Sequence, residues 1–236
     1  MADDKKNPEK KIRSVAGRKT LAGAILSVGM ALAVIAVLFF SWMAEEVFEG
    51  ESKGIDNTVR EFVHGFAADW LTGMMQLFAF LGSTVFLTPA SVLIILFFLY
   101  RRRFRSAVLL TAVMVGAVVL NYALKVSFSR PRPIPYFDTP LPASFSFPSG
   151  HALFSVCFYG ILAWLISSRA ENKTLQIITW TTAVLMAFFI GLSRIYLGVH
   201  YPTDVVAGYV TAFVWVSVAV LADSVLGKHD SSVEPS

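Results

Sequence analysis

The sequence predicts an all-α integral membrane protein: a bundle of six transmembrane helices with an interfacial helix in the first outer loop. Three observations carry that expectation. The first is composition. Of 236 residues, 56% are hydrophobic and only 15% are charged, and mean hydropathy is +0.63. A soluble domain carries about 25% charge, so too few charges remain to coat a globule of this size. That excludes a soluble enzyme, a disordered chain and a disulfide scaffold. The second observation is a set of uncharged runs of bilayer length. The third is where the basic residues fall around those runs.

A helical span needs about 20 apolar residues to cross a hydrocarbon core roughly 30 Å thick. The first uncharged run covers residues 20–44. Its apolar stretch exceeds a signal-peptide core of about 7–15 residues, and no small-x-small cleavage site follows cleanly. It reads as an uncleaved first span. The next run, 70–100, has 31 residues and would be about 46 Å long as one helix. Leu81-Gly82-Ser83 marks a break inside it. Four further runs, 106–124, 152–168, 174–193 and 205–222, are one span each.

Basic residues decide whether both halves of 70–100 cross. With six spans and a cytoplasmic N-terminus, 14 Lys/Arg lie inside and 6 outside; with seven, the split is 11 against 9. The positive-inside rule selects six. Residues 84–100 then span, and 70–81 form an interfacial or re-entrant helix. Residues 1–19 and 226–236 are expected as cytoplasmic tails flanking a membrane domain of residues 20–225. The net charge of +4 and pI near 9.2 thus set orientation and do not signal nucleic acid. Cys157, the one cysteine, sits in an apolar run as a packing residue.

Residues 129–148 hold six of the ten prolines, which predicts a structured loop. Three polar stretches gather around it. Residues 125–133 read KVSFSRPRP, residues 148–151 read PSGH, and residues 193–204 read SRIYLGVHYPTD. In the six-span topology all three fall on the extracytoplasmic side. Polar groups are costly in a bilayer, and their collection at one face reads as functional. The residue types suit phosphate. Arg132 and Arg194 offer planar forks and Lys125 a point charge. Ser149-Gly150 opens a helix whose free N–H groups favour an anion. Asp204 follows His200 by four residues, so its carboxylate can fix the imidazole tautomer and leave the other nitrogen free to attack. His151 is a second imidazole, with an ordinary pKa of about 6.5 suited to general acid work.

These stretches resemble the type 2 phosphatidic-acid phosphatase family, the lipid phosphate phosphatases. That family's pattern is K-x6-R-P, then P-S-G-H, then S-R-x5-H-x3-D, and every fixed position is matched in order. The resemblance implies that His200 attacks phosphorus to form a phosphohistidine, that His151 protonates the leaving oxygen and that Asp204 orients His200. It implies that Lys125, Arg132 and Arg194, with Ser149 and the Gly150 N–H, hold the phosphoryl oxygens. It implies no cofactor and no metal, in keeping with motifs that offer no carboxylate cluster for Mg²⁺. Membership would extend to a bacterial membrane branch acting on phosphatidylglycerol phosphate, phosphatidic acid or undecaprenyl pyrophosphate. The partners implied are such a lipid and the surrounding membrane lipids. Soluble vanadate-binding haloperoxidases share the motifs, but bilayer-length runs argue against that branch. A transferase using an acceptor other than water, and a non-enzymatic lipid-binding protein, are the alternatives.

Residues outside the pattern receive plainer readings. Arg130 either adds to the phosphate field or contacts lipid headgroups. Tyr196 and Tyr201 suit a membrane-surface belt as well as substrate contact. His64, Asp138 and His229 read as surface groups, and Asp223 as a solvated helix end. Arg101–Arg105 reads as a topology signal.

Overall fold

The structure is a computed structural model that describes residues 31–137 and 141–230, the last five by backbone alone. Asp138, the whole N-terminal tail, the start of the first span and the end of the C-terminal tail lie outside the described residues, as does the side chain of His229. Every regular element among the described residues is a helix. They are α1 (Ala31–Glu49), α2 (Lys53–His64), α3 (Asp69–Leu81), α4 (Thr84–Tyr100), α5 (Phe104–Phe128), α6 (Gly150–Ser167), α7 (Lys173–Tyr196) and α8 (Pro202–Asp230).

Five of these, α1, α5, α6, α7 and α8, are long and apolar enough to cross a membrane. The run 70–100 breaks where expected, with α3 and α4 meeting at 45°. Ser83 caps α4 by accepting from Phe86 N at 3.3 Å. Taken together as one bent span, α3 and α4 give a sixth candidate by length and composition, whereas α4 alone, expected to span, is not among the helices long enough; α3 packs along α7. The helix ends follow local chemistry. Asn172 accepts from the N–H groups of Thr174 and Leu175 to start α7, as N-cap side chains do. Ser129 turns α5 off with a left-handed φ of 45°.

The central helix is α6, packed on α5, α7 and α8. Its Leu153, Cys157 and Ile161 meet Leu110 and Val113 of α5 in a buried cluster. Helices in lipid gain little hydrophobic energy from association, so close backbone approach matters more. Gly208 shows this where α8 crosses the start of α6. A Cβ there would lie 2.7 Å from the Ser149 carbonyl oxygen. A second aromatic cluster fixes the proline-rich loop, with Phe147 packed on Phe40 of α1 and Phe128 of α5.

One element departs from expectation. Residues 53–64, between the first span and the run 70–100, form the helix α2, where the sequence predicts a loop. Its orientation inverts the usual rule: Asp56 is 0% exposed and Arg60 7%, while Ile55 is 70% exposed and Phe62 68%.

Candidate active site

The third motif is built by the start of α8. Pro202 opens the helix, where its missing N–H costs nothing. Asp204 lies in the first turn and reaches back to accept from Tyr201 N at 2.9 Å, the carboxylate half of a capping box. The same oxygen, Oδ2, faces His200 Nδ1 at 3.3 Å. Gly198, with φ +73°, turns the chain toward His200, and a Cβ there would strike Tyr136 N at 2.7 Å. His200 itself is 2% exposed.

Partners assign the tautomer of His200. Arg132 Nη1 lies 3.0 Å from its Nε2. Arginine only donates, so Nε2 is the acceptor and Nδ1 carries the proton toward Asp204. Burial pushes the His200 pKa down to about 3, against the opposing pull of Asp204. The ring is therefore neutral, and its contact with Asp204 is a hydrogen bond and not an ion pair. Burial also lowers the pKa of Arg132, with Asp204 opposing. Arg132 is anchored besides on the carbonyls of Ser144 (2.8 Å) and Val199 (3.0 Å).

The other motif residues converge on the same place. Ser149 precedes α6 as its N-cap residue, and its N–H donates to the Asp204 carbonyl at 2.9 Å. This ties the second motif to the third. Lys125, one turn from the end of α5, donates to the Phe145 carbonyl. His151, at the start of α6, lies within electrostatic reach of Arg194, Arg132 and Lys125 and close to the His200 ring. All eight residues singled out by sequence thus meet at one end of the bundle. Arg194 and Ser149 are buried there, and Arg194 Nε and Ser149 Oγ have no hydrogen-bond partner among the described residues.

Sequence reasoning missed several residues. Ser146 is 0% exposed and donates to Asp204 Oδ2; nothing in a serine of a proline-rich loop announces this. Arg130 meets neither of its two readings. It bridges Asp56 and Asp204, at 2.7 Å to each, and lies 4.1 Å over the Tyr201 ring. Burial opposes the Arg130 charge, yet Asp204 and Asp56 raise its pKa above the ordinary arginine value. Tyr196 is buried and its hydroxyl lies 2.7 Å from Thr72 Oγ1 on α3, so packing explains it and not a membrane belt. His64 stacks on Tyr136 at 3.9 Å. Arg60 clamps the site loops from α2, donating to the carbonyls of Ile134 (2.7 Å) and Gly198 (3.4 Å).

The geometry can be set beside known proteins. The profile of the PAP2 superfamily matches residues 106–226. The chain belongs to the PAP2 superfamily. Within it, the chain is 30% identical over 177 residues to phosphatidylglycerophosphatase B of Bacillus subtilis, covering 73% of this chain and 85% of that protein. An undecaprenyl-diphosphatase of Sulfolobus acidocaldarius is 29% identical over 62% of this chain and 68% of its own. The crystal structure of a transmembrane PAP2 type phosphatidylglycerolphosphate phosphatase from Bacillus subtilis superposes with a TM-score of 0.75 at 28% identity. It covers 81% of this chain and 96% of that one. The PAP2 match takes in α5 to α8 except for the first two residues of α5 and the last four of α8, and leaves out α2.

Proposed function

We propose that this chain is a lipid phosphatase that hydrolyses a phosphate monoester or pyrophosphate of a lipid at the extracytoplasmic face. The observation that carries the reading is Arg194. A guanidinium more than nine-tenths buried, its Nε without a partner among the described residues just as the buried Ser149 hydroxyl is, costs roughly several kcal/mol unless an anion joins it. Phosphoryl oxygens complete that set, with Lys125, Arg132 and the N–H groups at the start of α6 around them.

The reaction follows from the tautomer, once Arg132 turns its Nη1 donation from Nε2 to a phosphoryl oxygen and frees that lone pair. His200 Nε2 attacks phosphorus as the bond to the leaving oxygen breaks, and His151 gives that oxygen a proton. A lipid alcohol, or a lipid monophosphate from a pyrophosphate, departs and leaves a phosphohistidine. Water then attacks phosphorus, His151 takes its proton, and the N–P bond breaks to release inorganic phosphate. Asp204 accepts the hydrogen bond of His200 Nδ1–H throughout, and the proton stays on the ring.

Sidedness rests on the basic residues, 14 against 6. The motifs lie at the C-terminal end of α5 and Arg101–Arg105 at its other end, in keeping with that count. An apolar cavity of about 240 Å³ between α1, α5 and α8, lined by Phe40, Leu120, Leu124 and Trp215, suits an acyl or prenyl chain. Leu124 adjoins Lys125, so a tail seated there keeps its headgroup near the cations. Phosphate release by the purified chain from a panel of lipid monophosphates and pyrophosphates tests the reading. Turnover of at least one is expected; release from none of them would overturn it.

A further inference from the structure

We infer that Asp56 of α2 and Arg130 are positioning residues for the reaction: together they hold Asp204 as the fixed acceptor of the His200 Nδ1 proton. The inference rests on the proposed phosphatase reading. Neither residue is a fixed position of the three motifs: Arg130 lies between those of the first, and Asp56 lies on α2, outside the region matched by the PAP2 profile.

The contacts divide the two oxygens of Asp204 between two tasks. Oδ2 faces His200 Nδ1, Ser146 Oγ and Tyr201 N. Oδ1 accepts from Arg130 Nη1 at 2.7 Å. The other fork of Arg130, Nη2, donates to Asp56 Oδ2 at 2.7 Å and to Ser52 Oγ at 3.2 Å. Asp56 in turn accepts from Thr203 N at 3.0 Å and Thr203 Oγ1 at 2.8 Å, so it caps α8 one residue before Asp204. The Tyr201 ring covers the guanidinium. Asp56 and Asp204 are 0% exposed and Arg130 9%. Three charges are thus locked in line behind His200 with their hydrogen bonds satisfied, the condition under which buried charges are tolerated.

This line has a chemical consequence at the second step. The phosphohistidine leaves as a neutral imidazole only if the Nδ1 proton stays on the ring. If Asp204 takes that proton, the N–P bond must break to an anionic imidazole, a far poorer leaving group. A carboxylate already paired with Arg130 is a weaker base, so the proton stays on His200. Asp56 is needed because Arg130 alone could swing toward His200 or the substrate. With Asp56 on its second fork, its charge is committed to Oδ1 of Asp204.

The test compares Arg130→Lys, which cannot span both carboxylates, and Asp56→Asn with the wild type. Each is purified in detergent, its melting followed, and its kcat, KM and acid-labile, base-stable phosphoenzyme measured with radiolabelled lipid phosphate. Wild-type turnover with label on His200 upholds the phosphatase reading; no turnover in the wild type sinks that reading and not the relay alone. Given wild-type turnover, the relay predicts kcat down about 10- to 100-fold, the range for partners that orient a functional histidine, with KM within about twofold. It also predicts more phosphoenzyme per folded molecule, because release of the histidine is the slowed step. Unchanged kcat in both variants, a fall with no rise in label, or loss of fold in both would overturn it, the last by making the pair purely structural.

Discussion

The two ends of this bundle use the same residue types in opposite ways. At the motif end, Lys125, Arg130, Arg194, Asp56 and Asp204 are all buried. At the other end, about 37 Å away along the 25 residues of α5, Arg101, Arg102 and Arg103 stand exposed. The one described ion pair there, Arg105 with Asp223 at 2.6 Å, leaves Arg105 55% exposed. Exposed charges near a bilayer set orientation and touch lipid headgroups. Buried ones must be matched or held for a ligand. Burial, and not residue type, separates chemistry from topology in this chain.

That contrast can be broken by substitution, and the largest effects belong to the histidines. His200→Ala and His151→Ala should each cut phosphate release by about a thousandfold or more while the variants still fold, since each removes a group from bond breaking. Near-normal turnover in detergent would remove that residue from the mechanism. Arg194→Ala should follow at about 10²- to 10³-fold in kcat/KM, whereas Arg101→Ala should stay within about twofold. Equal losses would erase the difference between the ends.

A smaller effect concerns the cavity beside Lys125. Leu120→Trp fills it and should slow turnover of a long-chain lipid phosphate several-fold more than that of a short-chain soluble one. Equal slowing of both would move the tail elsewhere.

Stability should also depend on pH through His200. The unfolded histidine titrates near ~6.5 and the folded one at about 3. Between those values the unfolded chain binds more protons. The stability contributed by a neutral buried His200 is therefore full above pH ~6.5 and is lost as pH falls toward 3. Melting temperature should drop on acidification through that window, and less steeply in His200→Gln. The same slope in both would mean another group dominates. Smallest of all, Arg105→Ala and Asp223→Ala, a pair with one exposed and one half-buried partner, should each shift stability by about 1 kcal/mol, with activity unchanged. A larger shift, read from melting in detergent, would give the pair structural weight.

Much of this was legible in the sequence. The spans follow from apolar run length, the break at Gly82-Ser83 from a run too long for one helix, and the convergence of the eight motif residues from their shared face. The α2 helix was not legible, because amphipathic reading assigns charged positions to solvent. Asp56 and Arg60 do the reverse, and their partners lie more than 70 residues away in sequence. The local sequence of Arg130 points only to phosphate or lipid, because the buried acid it pairs with, Asp56, comes from α2. Asp223 looks solvated in its own helix because its partner, Arg105, lies on another. Local pattern reports which residues are polar; long-range packing decides which polar residues are inside.

The most direct measurement of the central claim is the covalent intermediate. The purified chain is mixed with radiolabelled lipid phosphate, quenched in base within a turnover, digested, and the labelled peptide identified. The account predicts acid-labile, base-stable phosphate on His200, present in wild type and absent from His200→Ala. Turnover without such label, or label that persists in His200→Ala, would contradict it.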